Sequence, residues 1–149
     1  MATQEPLLQR TSGRWPRPDF TIEENLADLE DHEVDFQARR GFTYTIMNPG
    51  ETRCLGCVYV YPLEDDRGET AHDYEAVVWF WIRPDGVVTE MDRHLLAAMV
   101  PWLHTDFAFR RVLFRAWSND ERQMALMGEV GLQVVDTRPL GESETVLFE

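Results

Sequence analysis

Apolar and polar positions repeat along this chain with two different periods. Thr21-Ile22-Glu23-Glu24 has the form of a capping box, and Ile22, Leu26 and Leu29 follow at i, i+4 and i+7, with Phe36 continuing the stripe. This predicts an amphipathic helix, stopped by Gly41. FTYTIM and CLGCVYVYPL then read as two strands joined by Asn48-Pro49-Gly50-Glu51, where Pro-Gly suits the centre of a type II turn. AVVWFWI is apolar at every position, as expected of a strand covered on both faces. A helix follows, with Leu95, Leu96, Met99, Val100 and Leu103 on a broad apolar face and Pro101 as the expected kink. RVLFRAW is the next strand. Ser118-Asn119-Asp120 marks a turn or N-cap, and a short helix runs through Met124, Leu126 and Met127 to Gly131. LQVV and TVLF are the last strands, with a turn expected over residues 138–142.

The predicted order is α-β-β-β-α-β-α-β-β. Antiparallel hairpins at both ends flank a βαβ unit, so the class is mixed α/β or α+β. Residues 1–19 carry Pro6, Pro16, Pro18 and Gly13 and few periodic apolar positions. They read as an irregular lead-in, with one short strand near Leu7 and Leu8. Residues 20–149 read as one domain, and the 149-residue length suits a single core.

The formal net charge of −13 argues against nonspecific binding to nucleic acid or anionic membrane and favours a cationic partner such as an amine. All 14 basic residues are arginine, which removes any lysine nucleophile. The N-terminus has no apolar signal region, and no stretch approaches the about 18 apolar residues of a membrane span. A cytoplasmic location is therefore expected. Homodimer formation stays open.

Cys54 and Cys57 form a lone CxxC. On a regular strand they point to opposite faces about 10 Å apart, too far for a disulfide. Two reduced structural thiols are expected. His32, His94 and His104 have no spacing that argues for a metal site. Tyr44, Tyr59, Tyr61 and Tyr74 are the available phenols, and Trp79-Phe80-Trp81 reads as core packing or as an aromatic pocket wall. The acidic run over residues 64–75 contains His72 and Asp73 as a candidate acid/base pair, and it could draw in an amine.

FTYTIMNPGETRCLGCVYVYP, AVVWFWIRP with DRHLLAAMVPWL, and VLFRAWSNDERQMALMGEVGLQVV resemble successive stretches of the GNAT superfamily of acyl-CoA-dependent N-acetyltransferases. The resemblance covers residues 20–149. It implies a GNAT-like domain with a mostly antiparallel central sheet, a βαβ unit and flanking helices. It implies acetyl transfer from acetyl-CoA to a small cationic amine, with Glu75 where some members keep a base. The cofactor arm would lie on backbone groups of Trp81, Ile82 and Arg83, and Asn119 matches a residue that contacts it. The pyrophosphate would sit on amides at the start of the helix after AVVWFWI.

The family's phosphate loop reads Arg/Gln-x-x-Gly-x-Gly/Ala. Aligned on Leu95-Leu96, its glycine positions here are Glu90 and Asp92, and its basic or Gln position is Val87. Thr89-Glu90-Met91-Asp92 has the form of a capping box. Two readings of the loop follow: a helix start that caps itself, or a cofactor loop rebuilt around Arg83 or Arg93. A tyrosine that often serves as the family's acid is replaced by Met127. Three functions remain: an acetyl-CoA-dependent acetyltransferase, a catalytically silent GNAT-fold domain that binds a ligand or protein partner, and an amine binder without CoA.

Overall fold

The computed structural model describes residues 19–63, 74–84, 90–140 and 143–149. The expected lead-in strand at Leu7–Leu8, residues 64–73 of the acidic run with His72 and Asp73, and residues Val87 and Thr89 lie outside them. The elements are α1 (Ile22–Gln37), β1 (Phe42–Met47), β2 (Cys54–Pro62), β3 (Ala76–Ile82), α2 (Met91–Thr105), β4 (Val112–Trp117), α3 (Glu121–Glu129), β5 (Val134–Leu140) and β6 (Ser143–Phe148). Their order matches the one read from the sequence.

One six-stranded sheet runs β1-β2-β3-β4-β6-β5. Every pairing is antiparallel except β3 with β4, which α2 connects as a βαβ crossover. The alternating pleat sends Val78, Phe80 and Ile82 of β3 to the face that α2 and α3 cover. There they join Leu96, Met99 and Leu103 of α2, Leu126 and Met127 of α3, and Phe114 and Phe148. The other face carries a smaller cluster of Val77, Leu113 and Leu147, with Trp79 and Tyr61 packed on it. So β3 is covered on both faces, as its unbroken apolar run predicts. Helix α2 continues through Pro101 to Thr105.

Helix α1 departs from expectation. Its capping box forms: the Glu24 amide donates to Thr21 Oγ1 at 3.1 Å, and the Thr21 amide donates to Glu24 Oε2 at 2.9 Å. Yet the apolar stripe does not pack on the core. Ile22, Leu26 and Leu29 are exposed, while Glu24, Asp28, His32 and Asp35 are the half-buried positions. The helix lies along the edge strand β1. His32 Nδ1 meets Thr43 Oγ1 at 3.1 Å, and the Phe36 ring meets Phe42 edge-on. That anchoring by the C-terminal half sets which face looks inward.

Gly41 is not the helix stop. The helix ends at Gln37, and Arg39 takes the left-handed conformation at φ 57°. Gly41 is there because the Tyr61 ring is close: a Cβ would lie 2.6 Å from Tyr61 Cε1. The β1–β2 turn is not type II either. The Glu51 amide donates to the Asn48 carbonyl, but positive φ falls on Glu51 (53°) rather than Gly50. The turn expected over 138–142 starts later, because Arg138 and Pro139 pair with Thr145 and Glu144. Pro139 is tolerated there because β5 is an edge strand.

A bulge also changes the reading of the two cysteines. Ile46 pairs with Gly56, but the next residue, Met47, pairs with Cys54, leaving Leu55 as the extra residue. Thr45 and Met47 point to one face, so their partners Cys57 and Cys54 share that face rather than opposing each other. Both thiols are free and half-buried. Burial, then the proximity of Cys54, pushes the Cys57 thiol up to about 12. It stays protonated at neutral pH.

Candidate functional site

The one parallel pairing is short. Ala76, Val77 and Val78 pair with Val112, Leu113 and Phe114, and the pairing stops there. Beyond it β3 runs on through Trp79–Ile82 beside β2, while β4 stays paired with β6. A wedge therefore opens between the C-terminal ends of β3 and β4. This is where open sheets with βαβ units usually bind ligands.

The sheet register decides which backbone groups line the wedge. The Arg83 amide donates to the Leu55 carbonyl at 2.8 Å, and the Leu63 amide donates to the Glu75 carbonyl at 2.9 Å. In an antiparallel pair these contacts recur at every second residue, so Trp81 and Arg83 direct their backbone groups at β2. Phe80 and Ile82 direct theirs at the wedge. Of the three residues expected to hold a cofactor arm through their backbone, Ile82 faces the wedge while Trp81 and Arg83 face β2. The Trp81 side chain donates from Nε1 to the Tyr59 hydroxyl at 3.3 Å.

The wedge is bridged from α3. Asp120, the N-cap of α3, accepts from the Gln123 amide at 3.1 Å and fixes the first turn. Gln123, 4% exposed, then donates from Nε2 to the Phe80 carbonyl at 3.0 Å. Asn119, the residue expected to touch a cofactor arm, is exposed in the preceding turn and is not the cap.

The start of α2 lies beside this bridge. Glu90 is the N-cap, in the left-handed conformation at φ 59°, and it makes no side-chain cap. Thr89 of the expected capping box lies outside the described residues, and the carboxylates of Glu90 and Asp92 enter a charge network. Arg122 grips Asp92 with two hydrogen bonds, Nε to Oδ2 at 2.6 Å and Nη2 to Oδ1 at 2.9 Å. Its Nη2 also reaches Glu90 Oε1 at 3.4 Å. Arg93 donates from Nε to Glu90 Oε2 at 2.6 Å and from Nη1 to Glu129. The Arg93 amide, one of the donors a helix start leaves unsatisfied, is taken by Asp92 Oδ1 at 3.0 Å.

Asp92 is 5% exposed. Burial works to raise its carboxyl's pKa. The hydrogen bonds from Arg122 and the Arg93 amide, with the guanidinium charge, outweigh this and hold it below its ordinary value. The same contacts raise Arg122. Three carboxylates and two guanidiniums leave this cluster with a net negative charge. An added phosphate about 4 Å from one carboxylate would be opposed by on the order of 4 kcal/mol. These residues do not fit a cofactor phosphate. Arg93, one candidate for a rebuilt loop, is held by Glu90 and Glu129.

Glu75 stands at the opposite end of β3 from the wedge. It accepts from the Arg110 amide, and from the Arg111 amide at 3.3 Å. These contacts lower its pKa, the reverse of what a general base near neutral pH requires. Tyr74 is tied to Glu149 at 2.8 Å, and Tyr59 is pushed up by burial. Met127 is fully buried in the core. Among the described residues no three His, Cys, Asp or Glu side chains gather to hold a metal, and no helix is long and apolar enough to cross a membrane.

Among the described residues, four carboxylates have lowered pKa values: Glu75, Glu90, Asp92 and Glu149, the last at about 2. Lowered carboxylates add stability above their unfolded values and lose it as pH falls through the folded ones. Urea unfolding should therefore show a plateau at neutral pH and a decline from about pH 4.5 toward 2. A midpoint that rises between pH 5 and 3 would contradict the network.

No protein-family model matches the sequence, and no curated protein matches it. Solved structures do. A protein assigned to the GNAT family of acetyltransferases, from Bordetella pertussis, superposes with TM-score 0.72 at 10% identity, over 91% of this chain and 80% of that one. The fold is that of the GNAT acetyltransferases. The microcin C7 self-immunity acetyltransferase MccE, in complex with acetyl-CoA and AMP, gives TM-score 0.75 at 10% identity, over 99% of this chain and 79% of that one. A spermidine N-acetyltransferase SpeG chimera from Vibrio cholerae and hSSAT gives 0.66 at 11%, over 92% and 84%. Within the GNAT fold, the wedge and the α2 start are the positions that the sequence resemblance marks for the cofactor. Arg122 and Gln123, which close them, carry no local signal: they are ordinary first-turn residues of a short helix.

Proposed function

We propose that this chain is a GNAT-fold binding domain that works without acyl-CoA chemistry. The observation that carries this reading is the buried Asp92 carboxylate, gripped by Arg122 where a glycine amide would meet a phosphate. Gln123 supports it by holding the Phe80 carbonyl inside the wedge. The strongly negative chain favours a cationic ligand, a small amine or a basic protein segment, over nucleic acid or an anionic membrane. A cytoplasmic setting is consistent with that reading.

A second reading is acetyl transfer from acetyl-CoA to a small cationic amine. It is favoured by the wedge itself, which forms where the short β3–β4 pairing ends. It also draws on the fold's likeness to a spermidine N-acetyltransferase and to an acetyl-CoA complex. It requires Arg122 and Gln123 to leave their partners.

Thermal unfolding with acetyl-CoA separates the two. A ligand that binds the folded state raises the melting temperature, by an amount set by its concentration over Kd. The first reading expects no shift at millimolar acetyl-CoA. A saturating rise, followed by thiol release when spermidine or another polyamine is added, would establish the second reading and end the first.

A further inference from the structure

We propose that the outward face of α1 is a docking surface for a basic, amphipathic helical segment of a partner protein. Ile22, Leu26 and Leu29 are 84%, 57% and 51% exposed, and together they form a stripe about 10 Å long on one side of the helix. The helix ignores its own amphipathicity in choosing how to pack. It turns Glu24, Asp28, His32 and Asp35 toward the body and leaves the apolar stripe outside. Val34 is also exposed, at 57%, while the Phe36 ring packs against Phe42 and Tyr44.

Charge selects the occupant. Helix α1 carries Glu23, Glu24, Asp28, Glu30, Asp31, Glu33 and Asp35, with no Arg or Lys. Glu23, Glu30 and Glu33 border the apolar stripe by helical spacing. A second copy would bring the same acidic helix from a chain of net charge −13, so the charge opposes pairing like with like. A helix with leucines on one face and Arg or Lys on its flanks satisfies both the stripe and its rim. This surface is separate from the α2 start, so the proposal holds whether or not CoA binds.

The test titrates the whole chain with a synthetic helical peptide of leucine and lysine arranged on two faces. The control is a scrambled peptide of equal charge with no apolar face. Calorimetry should show binding of the patterned peptide that weakens with added salt, and hydrogen exchange should slow within residues 22–37. The double variant Leu26→Glu, Leu29→Glu should lose at least tenfold in affinity and keep its melting temperature, since the stripe is exposed. Equal binding of the scrambled peptide, or undiminished binding by the double variant, overturns the proposal. So does a clear fall in the double variant's melting temperature, which would mean that the chain itself covers the stripe. A concentration-dependent dimer in sedimentation that the double variant abolishes would assign the surface to a second copy instead.

Discussion

Arg122→Met is expected to lower the unfolding free energy by about 3 kcal/mol, among the largest effects in this fold. The reason is asymmetric. Arg122 is 38% exposed and can be rehydrated in part, but the Asp92 side chain is only 7% exposed. Removing the guanidinium leaves a buried carboxylate with the Arg93 amide as its remaining partner in the network. Asp92→Asn should cost less, about 1–2 kcal/mol, because the neutral amide can still accept from Arg122.

The pH dependence gives the sign. In the parent chain the lowered Asp92 pKa adds stability above its unfolded value and loses it in acid. In Arg122→Met the two guanidinium hydrogen bonds and the cation are gone and only backbone amides still oppose burial, so the Asp92 pKa rises relative to the parent. The variant should then regain stability relative to the parent as pH falls from 7 to 4. Urea unfolding at both pH values measures this. A variant within about 0.5 kcal/mol of the parent at pH 7 would mean that Asp92 is not desolvated, and the case against a phosphate at this helix start would fail.

Gly56→Ala should cost about 3 kcal/mol, although it adds one methyl group. The added Cβ would lie 2.2 Å from the Trp81 carbonyl oxygen and 2.8 Å from Ile82 Cδ1. The first contact is with backbone, which cannot swing aside as a flexible side chain can. Relief requires β2 and β3 to separate where they form the wall of the wedge. Hydrogen exchange at Arg83, whose amide donates to Leu55, should speed up along with the stability loss. Gly50→Ala is the control: its added Cβ would meet nothing closer than 3.8 Å, and the backbone there is not left-handed. It should stay within about 0.5 kcal/mol of the parent. Comparable losses for the two variants would discard the close-approach explanation.

The arginine and the glycine differ in how far sequence could reveal them. Gly56 stands just before the apolar run of β2, where a glycine within a strand marks a close approach or a bulge. Both are present: Leu55 is the extra residue, and the Trp81 carbonyl is the close neighbour. Arg122 gave no such sign. Its partner Asp92 is thirty positions away, and α2 and α3 meet only because β3 and β4 lie side by side. The carboxylates at 90 and 92 could be read as unsuited to phosphate from their charge alone. The contact that Asp92 makes with Arg122 is not local, so no local pattern reveals it.

What the sequence determined by itself were the features whose causes lie within a few residues or within one period. The order of the described elements followed from hydrophobic spacing. The Thr21–Glu24 box followed from reach across one helical turn, and the burial of β3 from an apolar run without breaks. Tertiary structure alone decided which face of α1 looks inward. It also decided that the bulge puts Cys54 and Cys57 on one face, which backbone groups of β3 face the wedge, that Gln123 bridges the wedge and that Arg122 grips Asp92 at the start of α2. Those outcomes depend on register and on packing between distant segments. A one-residue slip reverses a strand's faces, and a helix at a sheet edge is oriented by the few contacts it makes there.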